Sequence, residues 1–227
     1  ASNVTAMRLW ISNPLAILAE NAEQGVVVEG SRIVELVCKD MASPVHDRKF
    51  DASRHVVLPG LINTHHHFYQ TLTRAHPDAI NKELFPWLVA LYPVWARLKP
   101  DAFRLATRLA LTELMMSGVT CSSDHHYVYP GGLEHAMDIQ AQEAIALGIR
   151  MTLNRGSMNL SKKDGGLPPD SVVQDHDTIL ADCERVIGKF HDRSEEALTQ
   201  VALAPCSPFS VPRPPWPRPL RPRRAPT

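Results

Sequence analysis

The chain has 227 residues, of which 44% are hydrophobic, with 24 basic and 24 acidic residues, so it can bury a sizeable core. Five of the basic residues are arginines of segment 212–227, which leaves the preceding part net acidic and argues against nucleic-acid binding. No apolar run approaches the ~20 residues of a membrane-spanning helix, and no signal-peptide pattern is present. Four scattered cysteines without a Cys-x-x-Cys pair favour a reducing, cytoplasmic setting.

Residues 1–57 are predicted to form short strands and turns. Val26–Glu29 and Arg32–Val37 are two runs rich in valine and isoleucine, and Gly30-Ser31 separates them. Two strand-forming runs joined by a short glycine-containing turn indicate a β-hairpin. We therefore expect a small β-structure that precedes the main domain.

From Val56 onward, strands and helices alternate, which is typical of parallel α/β construction. Strands are predicted at 56–63, 119–123, 150–154 and 200–204. The connecting helices are predicted to begin at Pro100, to end at Gly148, and to be capped by Asp177, because proline, glycine and aspartate mark helix ends. The Gly/Pro-rich segment 156–175 is long enough to suggest a functional lid. This order gives four βα units.

The first of these strands ends in His65-His66-His67. Side chains alternate along a strand, so His65 and His67 should point the same way and His66 the other. Two imidazoles at one strand end suit a divalent metal, whereas the plainer interpretation is a surface histidine cluster. We favour the metal because the pair closes an apolar strand and is followed by an aromatic residue and Gln70.

Three stretches carry a family resemblance: Pro59–Gln70, Ser123–Tyr127 and Ala204–Phe209. They resemble the amidohydrolase superfamily, in particular its nucleobase and triazine deaminase branch, with the closest likeness to 8-oxoguanine deaminases and hydroxyatrazine hydrolases. The resemblance extends from about Met7 to Val211. It implies an α/β fold: a (β/α)₈ barrel, of which 58–211 would be the first four βα units, preceded in 1–57 by the N-terminal part of a small β-sandwich.

The same resemblance implies site residues. His65 and His67 would bind one divalent metal, with zinc as the first choice and iron as the alternative. Gln70 would bind the substrate, and Cys206 would take the place of a base-reading arginine of guanine deaminases. Asp124, His125 and His126 end the second strand and are further candidates for substrate recognition, with one of the two histidines expected to face inward.

The expected activity is hydrolytic deamination of an oxidised purine such as 8-oxoguanine through metal-activated water. A triazine amino- or chlorohydrolase is the alternative within the family, and a non-catalytic half-barrel that binds a partner is the alternative outside it. The family's catalytic residues would lie beyond Val211, so we expect a truncated, inactive fragment of a homo-oligomeric parent. Such a half-barrel should associate through its open edges.

Two segments have more than one interpretation. Phe85, Trp87, Tyr92 and Trp95 lie in a predicted long loop and either stack on a flat substrate or, at helical spacing, form plain core. Segment 212–227 contains seven prolines and five arginines. It is interpreted as the product of a frameshift, or otherwise as a Pro/Arg-rich interaction tail.

Overall fold

The structure is a computed structural model that describes residues 6–211. Contacts divide the chain into two compact units, which meet in sequence at Gly60. The predicted tail 212–227 lies outside the described residues. No helix in the described range is long and apolar enough to cross a membrane.

The first unit is built from six strands: β1 (Arg8–Ser12), β2 (Ala16–Ile17), β3 (Gly25–Glu29), β4 (Arg32–Val37), β5 (Arg48–Asp51) and β6 (Val56–Val57). The predicted hairpin is confirmed, since β3 and β4 pair antiparallel and Gly30 adopts a φ of 59° in the turn. The larger sheet has the order β4-β3-β1-β5, and β2 pairs with β6. Trp10, Val27 and Val37 form its buried core.

The second unit alternates strands and helices: β7 (Leu61–Asn63), α1 (Leu84–Trp95), α2 (Pro100–Met116), β8 (Val119–His126), α3 (Ala136–Leu147), β9 (Arg150–Ser157), α4 (His176–Phe190) and β10 (Thr199–Pro205). Its four strands are parallel, in the order β10-β9-β8-β7. The predicted α/β class is therefore confirmed. Apolar side chains of the strands and helices form a buried cluster that includes Leu111, Met137, Met151, Leu153 and Val186, and a second, aromatic-rich cluster includes Tyr92, Trp95 and Tyr127.

One predicted strand is wrong in its extent. The run 56–63 is divided into β6, which pairs with β2 in the first unit, and β7, which pairs with β8 in the second. Pro59 and Gly60 lie at the break. Proline has no backbone N–H for a sheet ladder and glycine favours bends, so this dipeptide ends one strand and lets the next begin elsewhere.

Three other details differ from the sequence-based expectations. The predicted long loop contains α1, in which Tyr92 and Trp95 are buried. The cap of α4 is Asp175, whose carboxylate accepts a hydrogen bond from the Thr178 N–H at 2.9 Å. The predicted lid is pinned by its backbone: the N–H groups of Asn159 and Leu160 donate to the carbonyl oxygen of Ser210, at 3.0 and 3.1 Å.

Candidate functional site

The candidate site lies at the carboxyl end of β7. Because β7 ends at Asn63, the three histidines occupy irregular backbone before a 3₁₀ helix, Phe68–Thr73. The rings of His65 and His67 are 4.8 Å apart, edge to face. All three histidines line one cleft of about 320 Å³. The structure thus brings the predicted pair together, and strict strand alternation does not hold for His66.

The ring of His67 has a defined hydrogen-bonding state. Its Nδ1 lies 2.7 Å from the carbonyl oxygen of His125. A carbonyl can only accept, so Nδ1 carries the proton and Nε2 keeps its lone pair. Burial lowers the pKa of His67 to about 4, so the ring is neutral at physiological pH. A neutral imidazole with one nitrogen held by a carbonyl is the form that binds a metal.

Two of the described residues, His65 and His67, can each donate an imidazole nitrogen to a metal. His65 is exposed beside His67 and offers a second imidazole. Within residues 6–211, no three His, Cys, Asp or Glu side chains come together as a metal site. Imidazole nitrogen suits zinc and also iron. The pair therefore matches part of a ligand set, and the described chain does not supply a third ligand.

The two faces of strand β8 differ in burial, so its polar residues fall into a buried set and a half-buried set. Ser122, Asp124 and His126 are buried, whereas Cys121, Ser123 and His125 are half-buried. Asp124 is buried on the first of these faces, and its Oδ1 accepts from the Phe68 N–H at 2.6 Å. Its Oδ2 accepts from Gln140 Nε2. Burial raises the pKa of Asp124 to about 7. Its place at a strand end had suggested that Asp124 faces the substrate, but it is buried and does not line the cleft.

His125 crosses the sheet. Its Nε2 lies 2.8 Å from the carbonyl oxygen of Ala204 at the end of β10, so Nε2 donates and Nδ1 carries the lone pair. The ring passes over Gly156 of β9, where an added Cβ would lie 2.9 Å from the His125 Cδ2. Burial lowers the pKa of His125, so the ring is neutral. Of the two predicted β8 histidines, this is the one near the site, with its ring centroid 5.5 Å from that of His67.

His126 points to the opposite side of β8. It has no exposed surface and packs against the rings of Phe103, Tyr129 and Tyr69, at 4.5, 4.9 and 5.4 Å. Burial lowers its pKa well below the ordinary value. Because neighbouring strand residues face opposite ways, His126 is excluded from the cleft that contains His67. Its predicted contact with substrate has no geometric support.

Gln70 and Cys206 differ in their relation to the cleft. Gln70 lines it, and its Nε2 donates to the Tyr69 hydroxyl at 3.3 Å. Trp87 lines the same cleft. Cys206 is half-buried after β10 and packs against an aromatic cluster that includes Tyr127. It is not one of the residues that line the cleft.

Tyr127 is a site residue to which the sequence reasoning assigned no role. Its ring lies 5.4 Å from that of His67 and 5.0 Å from that of His125. Burial raises its pKa to about 12, so the hydroxyl keeps its proton. The available signal was its position directly after the two candidate histidines, His125 and His126. Arg74 also lines the cleft, where it pairs with Glu113.

Comparison with known proteins identifies the family. The Amidohydrolase family matches residues 56–214. An 8-oxoguanine deaminase of Pseudomonas aeruginosa is 59% identical over 209 residues, covering 90% of this chain and 46% of the relative. A hydroxydechloroatrazine ethylaminohydrolase of Pseudomonas sp. (strain ADP) is 39% identical over 153 residues, covering 66% of this chain and 32% of the relative.

A solved structure is similar as well. The atrazine chlorohydrolase of Arthrobacter aurescens TC1, complexed with zinc, superposes with a TM-score of 0.79 at 26% identity. The match covers 90% of this chain and 47% of that one. The chain thus spans about half the length, or less, of the relatives that it matches. The agreement of family, sequence relatives and structure shows that the chain belongs to the amidohydrolase family.

Proposed function

We propose that this chain supplies part of the active site of a metal-dependent hydrolytic deaminase whose substrate is an oxidised purine, 8-oxoguanine. One observation carries the proposal: a single cleft is lined by the neighbouring imidazoles of His65 and His67 and by the carboxamide of Gln70. The 59% identity to an 8-oxoguanine deaminase supports the choice of substrate.

In this proposal His65 and His67 hold one divalent metal, with zinc as the first choice and iron as the alternative. The chemistry that such a metal supplies is the activation of water as a nucleophile at neutral pH. The zinc in the solved chlorohydrolase supports this choice. The remaining ligands and the catalytic residues would lie beyond Val211.

Other residues in and near the cleft would bind and orient the ring of the substrate. Gln70 offers both a donor and an acceptor, which suits the amide edge of an oxidised purine. The indole of Trp87 supplies an aromatic wall for a flat heterocycle. The protonated hydroxyl of Tyr127 and the lone pair on Nδ1 of His125 add one donor and one acceptor near His67. Cys206, which packs against the neighbouring aromatic cluster, would contact the substrate from there.

The same proposal covers the finer architecture. Strands β7 to β10 would be the first four of a (β/α)₈ barrel within 58–211, and 1–57 would be the N-terminal part of a β-sandwich. Their parallel order supports the first assignment, and the division of contacts at Gly60 supports a boundary near that point. Cytoplasmic localisation and a homo-oligomeric parent stay predictions from the sequence.

A triazine hydrolase is the second candidate. Its support is the 39% identity to a hydroxydechloroatrazine ethylaminohydrolase and the similarity to an atrazine chlorohydrolase structure. Both activities need the same activated water, so only the residues around the ring substrate separate them.

A chimera tests the proposal. Residues 1–205 of this chain are joined to the matching C-terminal half of the Pseudomonas aeruginosa relative, and ammonia release is measured with 8-oxoguanine, while amine release is measured with hydroxyatrazine. We expect activity on 8-oxoguanine and about one metal per chain. The double variant His65→Ala, His67→Ala should lose both, whereas His135→Ala, a largely exposed histidine elsewhere in the unit, should lose neither.

Two results would change the conclusion. Preference for hydroxyatrazine would favour the triazine candidate. A folded chimera that binds metal equally well with and without His65 and His67 would reject the assignment of these two residues as ligands, and one that binds no metal and releases no product would leave the non-catalytic interpretation.

A further inference from the structure

The segment that carries the histidines is tied to the end of β8 by three hydrogen bonds. The His125 N–H donates to the carbonyl oxygen of His66 at 2.9 Å. Nδ1 of His67 donates to the carbonyl oxygen of His125 at 2.7 Å. The Phe68 N–H donates to Oδ1 of Asp124 at 2.6 Å. Residues 66–68 are thus hydrogen-bonded to residues 124 and 125 of β8. Only the bond from Phe68 uses a side chain of β8, that of Asp124.

That last bond satisfies a group that would otherwise lack a partner. Phe68 is the first residue of a 3₁₀ helix, whose opening N–H groups have no acceptor within the helix. His67 precedes the helix and provides no side-chain cap. Phe68 itself is fully buried, so water is a poor substitute. Asp124 therefore acts as a cap supplied by a different element of the fold.

Asp124 is itself held firmly. It has no exposed surface, it belongs to a central strand of the parallel sheet, and its second oxygen accepts from Gln140 of α3. A carboxylate with both oxygens engaged has a single rotamer. The position of the Phe68 N–H is therefore fixed by β8 and α3 rather than by the short strand β7.

We infer that Asp124 is a positioning residue for the candidate metal ligand His67. By fixing the Phe68 N–H, it holds the backbone so that His67 Nδ1–H reaches the carbonyl oxygen of His125 and Nε2 is left free for a metal. The inference rests on the proposed function only for the identity of His67 as a ligand. The hydrogen-bonded state of the ring can be measured without any metal.

The test uses the 227-residue chain and three variants. Asp124→Asn keeps an acceptor for Phe68, and Gln140 can rotate its amide to face the new NH₂ group. Asp124→Val removes the acceptor with little change in volume. Asp138→Asn is the matched control, because Asp138 is a buried carboxylate on α3 that pairs with Lys189 and Arg185.

Two readouts report on the site directly. Nitrogen-15 shifts of labelled histidine give the tautomer of His67, and amide hydrogen exchange gives the protection of Phe68. We expect an Nδ1–H tautomer and a slow Phe68 amide in the wild type, in Asp124→Asn and in Asp138→Asn. In Asp124→Val the amide should exchange at least tenfold faster and the His67 ring should show both tautomers.

Zinc affinity provides the functional arm, and it is measured by competition with a chromophoric chelator in the chimera, which would carry the remaining ligands. Loss of an outer-shell partner weakens metal binding by about 10–100-fold, so we expect roughly a tenfold loss in Asp124→Val and near-normal affinity in Asp124→Asn. A purely structural acid would lower stability in Asp124→Val without altering the tautomer of His67.

The outcomes separate the two proposals. A folded Asp124→Val with an unchanged His67 tautomer overturns the role of Asp124 and leaves the proposed function intact. A chimera with locked His67 but no affinity for zinc rejects the metal assignment and leaves the role of Asp124 standing. Should Asp124→Val not fold, a fast-exchanging Phe68 amide in the wild type overturns the inference, and a slow amide that Asp124→Asn retains supports it.

Discussion

Replacing Gly156 with alanine should strongly destabilise the parallel sheet. An added Cβ would lie 2.5 Å from the carbonyl oxygen of His126, 2.7 Å from Cβ of Tyr127 and 2.9 Å from Cδ2 of His125. The first contact is with backbone of β8, which cannot rotate away. Overpacking of this kind costs about 1–3 kcal/mol. Displacing the His125 ring would also break its 2.8 Å bond to Ala204, worth about 0.5–1.5 kcal/mol.

Urea unfolding followed by circular dichroism measures this effect. We expect the free energy of unfolding of Gly156→Ala to fall by about 1.5–4.5 kcal/mol, the sum of the two contributions. Gly188→Ala is the control, because Gly188 lies exposed in α4 with no atom near its added Cβ. Removing a helical glycine there should raise stability by about 0.5–1 kcal/mol. A Gly156→Ala variant as stable as the wild type would refute the close crossing of His125 over β9.

Three further predictions concern other parts of the second unit. Arg155 is fully buried, pairs with Asp182 at 2.6 Å and donates to Gln174 at 2.6 Å, so Arg155→Met should cost about 3–5 kcal/mol and expose segment 158–175 to proteolysis, as limited digestion would report. An unchanged digestion pattern would contradict this. The pKa of buried His126 lies below its unfolded value, so the unfolded state binds the proton first and stability falls as the pH drops from 7.5 to 5. Thermal melts of His126→Leu should show a smaller loss over the same range, and an equal loss would show that His126 is not responsible. Ile62 on β7 and Leu203 on β10 are 68% and 50% exposed on the two edge strands, so the 227-residue chain should self-associate. Sedimentation velocity should show a larger monomer fraction for the double variant Ile62→Lys, Leu203→Lys than for the wild type. A wild type that is fully monomeric would contradict the expectation.

Signals that depend on a few neighbouring residues were sufficient for much of the fold. Pro100 begins α2 as predicted, and Gly148 ends α3 with a φ of 73°, a value that glycine adopts without strain. The β3–β4 hairpin followed from its turn. The pairing of His65 with His67 was also predicted, although its cause is the geometry of an irregular segment rather than strand alternation.

Features that depend on distant contacts were not accessible in this way. Pro59-Gly60 marks the break within the run 56–63, but nothing local indicates that the two parts pair with β2 and β8. Alternation predicts that His125 and His126 face opposite ways but not which one lies near His67. That choice depends on the helices that cover one face of β8, because they bury His126 among aromatic rings.

The sequence by itself therefore determined the α/β class, the family, and the two histidines and one glutamine that line the cleft, because these follow from local patterns and motifs. Only the tertiary structure decided where Asp124, His125 and Tyr127 lie relative to the candidate site. Each of them contacts a partner that is distant in sequence: Phe68 for Asp124, Ala204 for His125, and the ring of His67 for Tyr127. Such contacts exist only after β7, β8 and β10 have been brought into one sheet, and this depends on packing that no short stretch of the chain encodes.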